Sequence, residues 1–172
     1  MKRLWGFAAA LVPLLALGSA AGVAAQEQTA SNKVGTFDKT AIVLAYYRSE
    51  LWAATLSAKR AEHNQAVQAG DTARAKELEQ WGGTSQELAH QQLWGKAPID
   101  NIVEALQPAF AEVKRTAGVD QIVVAPYDGK AATVDVTNAL LDWLKTDETT
   151  RKMIVDMQKY NADHKDTGPD AK

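Results

Sequence analysis

The sequence predicts an α+β protein: a small three-stranded sheet from which a long helical, coiled-coil-like arm protrudes. Three observations predict it. A short β-prone run, Val34 to Phe37, precedes a segment, 39–117, that reads almost wholly as helix. Val119 to Ala125 and Ala131 to Val136 then read as two strands around Asp128-Gly129, the strongest two-residue hairpin signal. Strands this short bury little alone, so all three are expected in one sheet, with the helices between them leaving and returning.

The chain opens with Lys2 and Arg3 before an apolar run from Leu4 to Ala21. Val23-Ala24-Ala25 then places small residues where a signal peptidase reads. Charged, apolar and small segments in that order read as a secretory signal cleaved after Ala25. A retained membrane anchor competes with this reading. Pro13 and Gly6, Gly18 and Gly22 within the run, and the polar stretch Gln26 to Lys33 after it, favour cleavage. No later stretch approaches the ~20 apolar residues of a spanning helix, so no transmembrane segment is expected after cleavage. The expected division is 1–25 signal, 26–32 polar linker, 33–145 body and arm, and 146–172 C-terminal helix and polar tail. The body comprises 33–38 and 118–145.

The chain contains no cysteine. That excludes disulfides, thiolate metal sites and a lipid anchor, and leaves an exported protein to stabilise itself by burial or oligomerisation. Net charge is −2. Without Lys2 and Arg3, 17 basic residues face 21 acidic ones, a charge of −4. Such a chain lacks the global field that attracts nucleic acid or anionic membrane, so no nucleic-acid partner is expected.

Asp38 follows the first strand as a plausible N-cap. From Lys39 to Ala69 there is neither Gly nor Pro, and a helix of that extent spans about 46 Å at ~1.5 Å per residue. Leu44, Tyr47, Leu51, Ala54, Ala58 and Ala61 recur at steps of three and four, a seam for one partner helix. Gly70-Asp71 ends that helix and caps the next, Thr72 to Gln80. Gly82-Gly83 is expected to break it. Thr84-Ser85-Gln86-Glu87 reads as a capping box opening a further helix to Leu93.

Gly95 breaks the chain again. From Pro98, the residues Ile99, Ile102, Val103, Leu106, Phe110 and Val113 line one helical face, which Pro108 should kink before Gly118 ends it. In the hairpin, Tyr127 is expected opposite Lys130 and Val123 opposite Val134. Pro126 belongs on an edge or marks a longer loop. Thr137, or Asp135 before it, caps a helix to Leu144 with Leu140, Leu141 and Leu144 inward. Thr146-Asp147-Glu148 opens a last helix through Tyr160.

This order resembles the Skp (OmpH) family of periplasmic chaperones. Lys33-Val34-Gly35-Thr36-Phe37-Asp38 looks like that family's first strand, and Gly118-Val119-Asp120-Gln121-Ile122-Val123-Val124 like its second. Val134-Asp135-Val136-Thr137, followed by Leu140-Leu141 and Trp143-Leu144, looks like its third strand and closing helix. The resemblance implies a homotrimer whose sheets join as a body, with Val34, Phe37, Ile122, Val123, Val124, Val134 and Val136 in the sheet core. It implies helical prongs that hold unfolded outer-membrane or other periplasmic proteins without ATP or a cofactor. Between Gly70 and Lys96, Arg74, Lys76 and Lys96 stand against Asp71, Glu77, Glu79 and Glu87. The arm tip therefore has no basic cluster, and the stretch Ala69-Gly70-Asp71 through Glu77-Leu78-Glu79, with Gln86, His90 and Trp94-Gly95, looks more like an exported branch carrying the same body. That branch keeps a second reading open: an envelope interaction or structural module with one fixed partner.

Enzymatic signals are thin: there is no G-x-S-x-G, no H-E-x-x-H and no glycine-rich phosphate loop. His90 with Glu87 could pair on a metal, but a solvated helix face explains both. Asp156, Asn161, Asp163 and Asp166 lack the glycine and closing glutamate of a calcium loop. Asp38 and Asp135 could approach as a carboxylate pair, although helix capping accounts for each. No enzyme, metal or cofactor is therefore expected. Tyr46, Tyr47 and Trp52 are expected to rest on the helix from Ile99 to Val113. Trp81, Leu93 and Trp94 lie by the expected breaks, far from the body. With Trp52 they are the candidate client-binding residues, either exposed for unfolded chains or buried on one another.

Overall fold

The computed structural model describes residues 33–163. The signal segment, the polar linker and the tail beyond Asp163 lie outside the described residues. Those described form a mixed α+β domain, mostly helical, around a three-stranded sheet. Its elements are β1 (Lys33–Phe37), α1 (Lys39–Tyr47), α2 (Glu50–Gln68), α3 (Thr72–Leu93), α4 (Asp100–Ala105), α5 (Gln107–Ala117), β2 (Gln121–Val124), β3 (Ala132–Asp135), α6 (Thr137–Trp143) and α7 (Glu148–Asp163).

The strand order is β2-β1-β3, and both outer strands run parallel to β1. The predicted hairpin does not form. Val123 lies opposite Thr36, and Val134 lies opposite Gly35 rather than Val123. The reason is burial. Val34, Gly35 and Phe37 are buried, whereas β2 and β3 are half-buried or exposed at every position. Placing this strand in the middle satisfies its backbone on both sides and covers both of its faces. Three further bonds extend the sheet: Asp120 N donates to Lys33 O at 3.0 Å, Ala125 N to Phe37 O at 2.9 Å and Val136 N to Thr36 O at 2.9 Å. The segment 125–131 carries the chain back across the sheet. A Cβ on Gly129 would collide with the Tyr127 ring, so this glycine serves a folded loop rather than a two-residue turn.

Gly35 allows the strands to close. A Cβ there would stand 3.0 Å from Ile122 Cγ1, 3.2 Å from Val119 Cγ2 and 3.3 Å from Val136 Cγ1. Of the residues expected in the sheet core, Val34, Phe37 and Val136 are buried. Ile122, Val124 and Val134 rest half-buried against the main cluster, and Val123 is half-buried outside it.

Asp38 caps α1 as expected, its Oδ1 accepting from Ala41 N at 2.8 Å, while its Oδ2 accepts from Gln158 Nε2 of α7 at 3.1 Å. Its own N–H donates to Thr137 Oγ1 at 3.0 Å. Thr137 is thus spent on β1's exit, and Asp135 Oδ1 takes the Thr137 N–H at 2.8 Å. The core gathers Phe37, Ile42, Ile102, Leu106 and Leu140 at or near zero exposure. The predicted inward face from Ile99 to Val113 is inward, with Val103 half-buried.

The predicted uninterrupted helix 39–69 is broken. Arg48 ends α1 and Ser49 caps α2, its Oγ accepting from Trp52 N at 3.3 Å and donating to Tyr46 O at 2.6 Å. Arg48 Nε meanwhile donates to Thr150 Oγ1 of α7 at 2.8 Å. Side-chain capping makes this turn without Gly or Pro. The predicted break at Gly82-Gly83 is absent, and α3 runs through both. Each glycine costs a helix about 1 kcal/mol relative to alanine, which contact with α2 offsets. Thr84 Oγ1 donates to Gln80 O and Trp81 O within that helix, instead of opening a capping box. Pro108 separates α4 from α5 at Leu106 rather than bending one helix. It has no N–H for the carbonyl of Glu104 and its ring crowds that group. Gly70, Gly95 and Gly118 terminate elements as predicted, at φ 70°, 72° and 63°.

Gly35→Ala is expected to destabilise the fold by about 1–3 kcal/mol through forced separation of β1 from its neighbours, read as a lower urea midpoint. An unchanged midpoint would show that the strands can part freely.

Candidate functional site

The site is built between α2 and α3, which pack antiparallel across the Ala69–Asp71 turn. Ion pairs set their register. Arg74 Nη2 meets Glu62 Oε2 at 2.8 Å and its Nη1 meets Glu77 Oε2 at 2.7 Å, Lys59 Nζ meets Glu62 Oε1 at 3.0 Å, and His63 Nε2 meets Glu79 Oε1 at 3.2 Å. Hydrogen bonds from Lys59 first, then Arg74, hold the Glu62 carboxyl below its ordinary value, while those from Glu77 and Glu62 hold Arg74 above its own. These pairs are solvent-exposed, so they set register more than they add stability.

The predicted seam is not the one used. Leu51 is 38% exposed, and Ala54, Ala58 and Ala61 face solvent. The face toward α3 is Trp52, Leu56, Lys59, His63 and Ala66. Two causes act together. The Ser49 cap resets the helical phase, and Trp and Leu offer more apolar area than alanines.

At the root of this hairpin four aromatic rings form a connected run. Centroids lie 5.2 Å apart for Tyr46–Tyr47, 5.9 Å for Tyr46–Trp52, 5.0 Å for Tyr47–Trp52 and 6.0 Å for Trp52–Trp81. Trp52 therefore meets Tyr46, Tyr47 and Trp81, while Tyr46 lies in the buried cluster with Ile99 to Val113 and Tyr47 and Trp52 pack against that cluster. Tyr47 Oη donates to the buried Gln92 Oε1 at 2.7 Å, and Gln92 Nε2 donates to Pro98 O and Asn101 Oδ1, both at 2.6 Å. This satisfied amide pins the end of α3 to α1 and to the approach of α4.

Beyond the aromatic run the helices part around a cavity of about 550 Å³. Trp52, Leu56, Leu78 and Trp81 form apolar walls, and Gly82 leaves a gap where no atom lies within 4 Å of a built Cβ. Lys59, Arg60 and Glu79 carry the charge at its edge, beside His63, with Lys59 Nζ 5.9 Å from the Trp81 ring centroid. The volume falls within the range of small-molecule pockets.

Of the four candidate client-binding residues, the structure brings Trp52 and Trp81 together and separates the other two. Leu93 is half-buried against the body core, and Trp94 is 62% exposed beside Glu87, His90, Gln91 and Lys96. Trp81, Leu93 and Trp94 do not form one cluster, because α3 stays helical between them and returns to the body. Leu56, Arg60 and Leu78 were not singled out by sequence, and Gly82 only as an expected helix break. The spacing Trp52, Leu56, Lys59, His63, Ala66 carries the signal, obscured by its two polar members. Glu87 accepts from Gln91 Nε2 at 2.9 Å; Asp38 caps α1, whereas α6 begins at Val136 without a side-chain cap, and Asp135, expected as a cap, lies before it and accepts from Thr137 N. Among the described residues no cluster of three or more potential metal ligands occurs, and no helix is long and apolar enough to cross a membrane.

Burial first, then the neighbouring Tyr47, pushes the Tyr46 hydroxyl above its ordinary value of 10.0; burial raises Tyr47, partly offset by a hydrogen bond with Asn101. A raised folded pKa favours the neutral hydroxyl, so this contribution is complete below pH ~10 and is lost as pH rises through the folded values. Two of the four tyrosines are therefore expected to ionise late in a 295 nm alkaline titration, together with loss of near-ultraviolet ellipticity. Simultaneous ionisation of all four with the fold intact would refute the assignment. Compared with protein-family models, curated proteins and solved structures, the chain matches none.

Proposed function

We propose that the protein is an exported, ATP-independent holdase-type chaperone, Skp-like in plan, that binds unfolded outer-membrane or other periplasmic proteins as a homotrimer and performs no catalysis. One observation carries the reading. Between α1 and α4, which both pack in the body core, the chain runs out and back through a helical hairpin, α2–α3, that adds little to that core and holds an open groove walled by Trp52, Leu56, Leu78 and Trp81. A holdase needs apolar surface kept accessible on a frame that does not collapse, and α2 buries only Ala66 outright. In this reading α2–α3 is the prong, Trp52 and Trp81 meet the client in the groove, and Leu93 and Trp94 extend its contact toward the body. The outer edges of β2 and β3, unpaired among the described residues, support assembly through the sheets, since short parallel strands gain from further pairing. The apolar run at 4–21 supports export to the periplasm.

A second reading rests on the exposed stripe Leu51, Ala54, Ala58 and Ala61. A flat, small-residue helix face suits one fixed partner better than many clients, so an envelope interaction module without holdase activity is the alternative.

Light scattering separates the two. Under the first reading the purified protein has the mass of a trimer and, without ATP, suppresses aggregation of an unfolded β-barrel protein diluted from urea. Trp81→Ala is expected to weaken client binding about thirtyfold, given that hot-spot aromatics supply about 2 kcal/mol or more, and so to abolish most of that suppression. A trimer indifferent to clients supports the fixed-partner module, and a monomer without effect removes both.

A further inference from the structure

We propose that the α2–α3 groove is also a small-molecule site for a singly charged amphiphilic anion: one carboxylate on an aliphatic or aryl tail. The inference uses the groove assigned above but does not require client binding. Either can fail without the other.

Three features select this chemistry. The tail's space is apolar and glycine-floored: Trp52, Leu56 and Leu78 wall it, and Gly82 faces open space in the middle of a helix. The charge count then limits the head. Lys59 is engaged by Glu62, and Glu79 is hydrogen-bonded to His63. Arg60 lines the same groove and has no ion-pair partner among the described residues. One free guanidinium matches one carboxylate, which it can grip with two parallel N–H donors. A phosphoester would call for more positive charge than the groove offers. Finally, the volume of about 550 Å³ exceeds what an engaged core would leave and lies within the usual ligand range.

The test is calorimetric titration of the purified protein with decanoate and with decanol, both below the concentrations at which they self-associate. They share a tail and differ in charge. The expected result is one saturable decanoate per chain, with decanol about fivefold weaker, the size of one near-surface charge contact. Arg60→Gln should bring decanoate to the affinity of decanol. Gly82→Leu fills the tail's space and should weaken decanoate about tenfold or more, since a filled cavity cannot be reopened without strain. Gly83→Ala, one position away and facing outward, should leave affinity unchanged. Should Gly82→Leu not fold by circular dichroism, Gly82→Ala replaces it. Its methyl enters open space and should weaken binding about two- to threefold. No saturable binding, equal affinity for acid and alcohol, or unchanged affinity in a folded Gly82 variant would each overturn the proposal.

Discussion

Two-sided pairing of β1 is the constraint from which the architecture follows. Neither β2 nor β3 pairs with the other, and each is short and partly wet, so neither would persist without the strand between them. β1 supplies the backbone partners for both and the buried side chains Val34 and Phe37. Gly35 lets the side chains of Ile122, Val119 and Val136 close over it. From that point the exit of β1 is fixed by Asp38, which touches α1, α6 and α7 through separate atoms. One residue thereby sets the direction in which the first helix departs and ties the last helix to it.

The hairpin α2–α3 obeys different physics. Its contact with the body passes through the ring run from Tyr46 to Trp81 and through Gln92, whose amide is fully occupied. Outward from there it is held by exposed ion pairs and by modest burial at Ala66, Ala75 and Leu78. Wide contact at the root and open space beyond it explain why a cavity occurs there and not within the body. Gly82 then keeps that space from being filled by its own helix.

Sequence periodicity revealed the helical faces that a continuous core demands. Ile99 to Val113 and Leu140 to Leu144 read correctly because each repeats over several turns against one sheet. The joining of β1 with both later strands was also legible, since strands so short cannot stand alone. Strand order was not. Asp128-Gly129 has the local chemistry of a hairpin, but a turn residue reports only on its neighbours, and the central position went to β1, whose Gly35 lets Ile122, Val119 and Val136 close in. The breaks failed in both directions for one reason. Ser49 turns the chain by hydrogen bonding, invisible to a search for Gly and Pro, whereas Gly82 and Gly83 remain helical because α2 lies alongside. Resetting the phase at Ser49 then moved the contact face from the alanine stripe to Trp52 and Leu56, which is why the Trp52–Trp81 pair was missed.

The placement of β1 has a kinetic consequence. The first strand to emerge during synthesis must wait for partners near Ile122 and Val134, and Phe37 is enclosed by side chains drawn from as far along as Ile154. Loop closure on that scale is slow, and rates fall as sequence separation grows. Meanwhile only α2 and α3 can meet locally. A nascent chain of this kind stays without its core until nearly the whole polypeptide is available, and its apolar strands wait that long without partners.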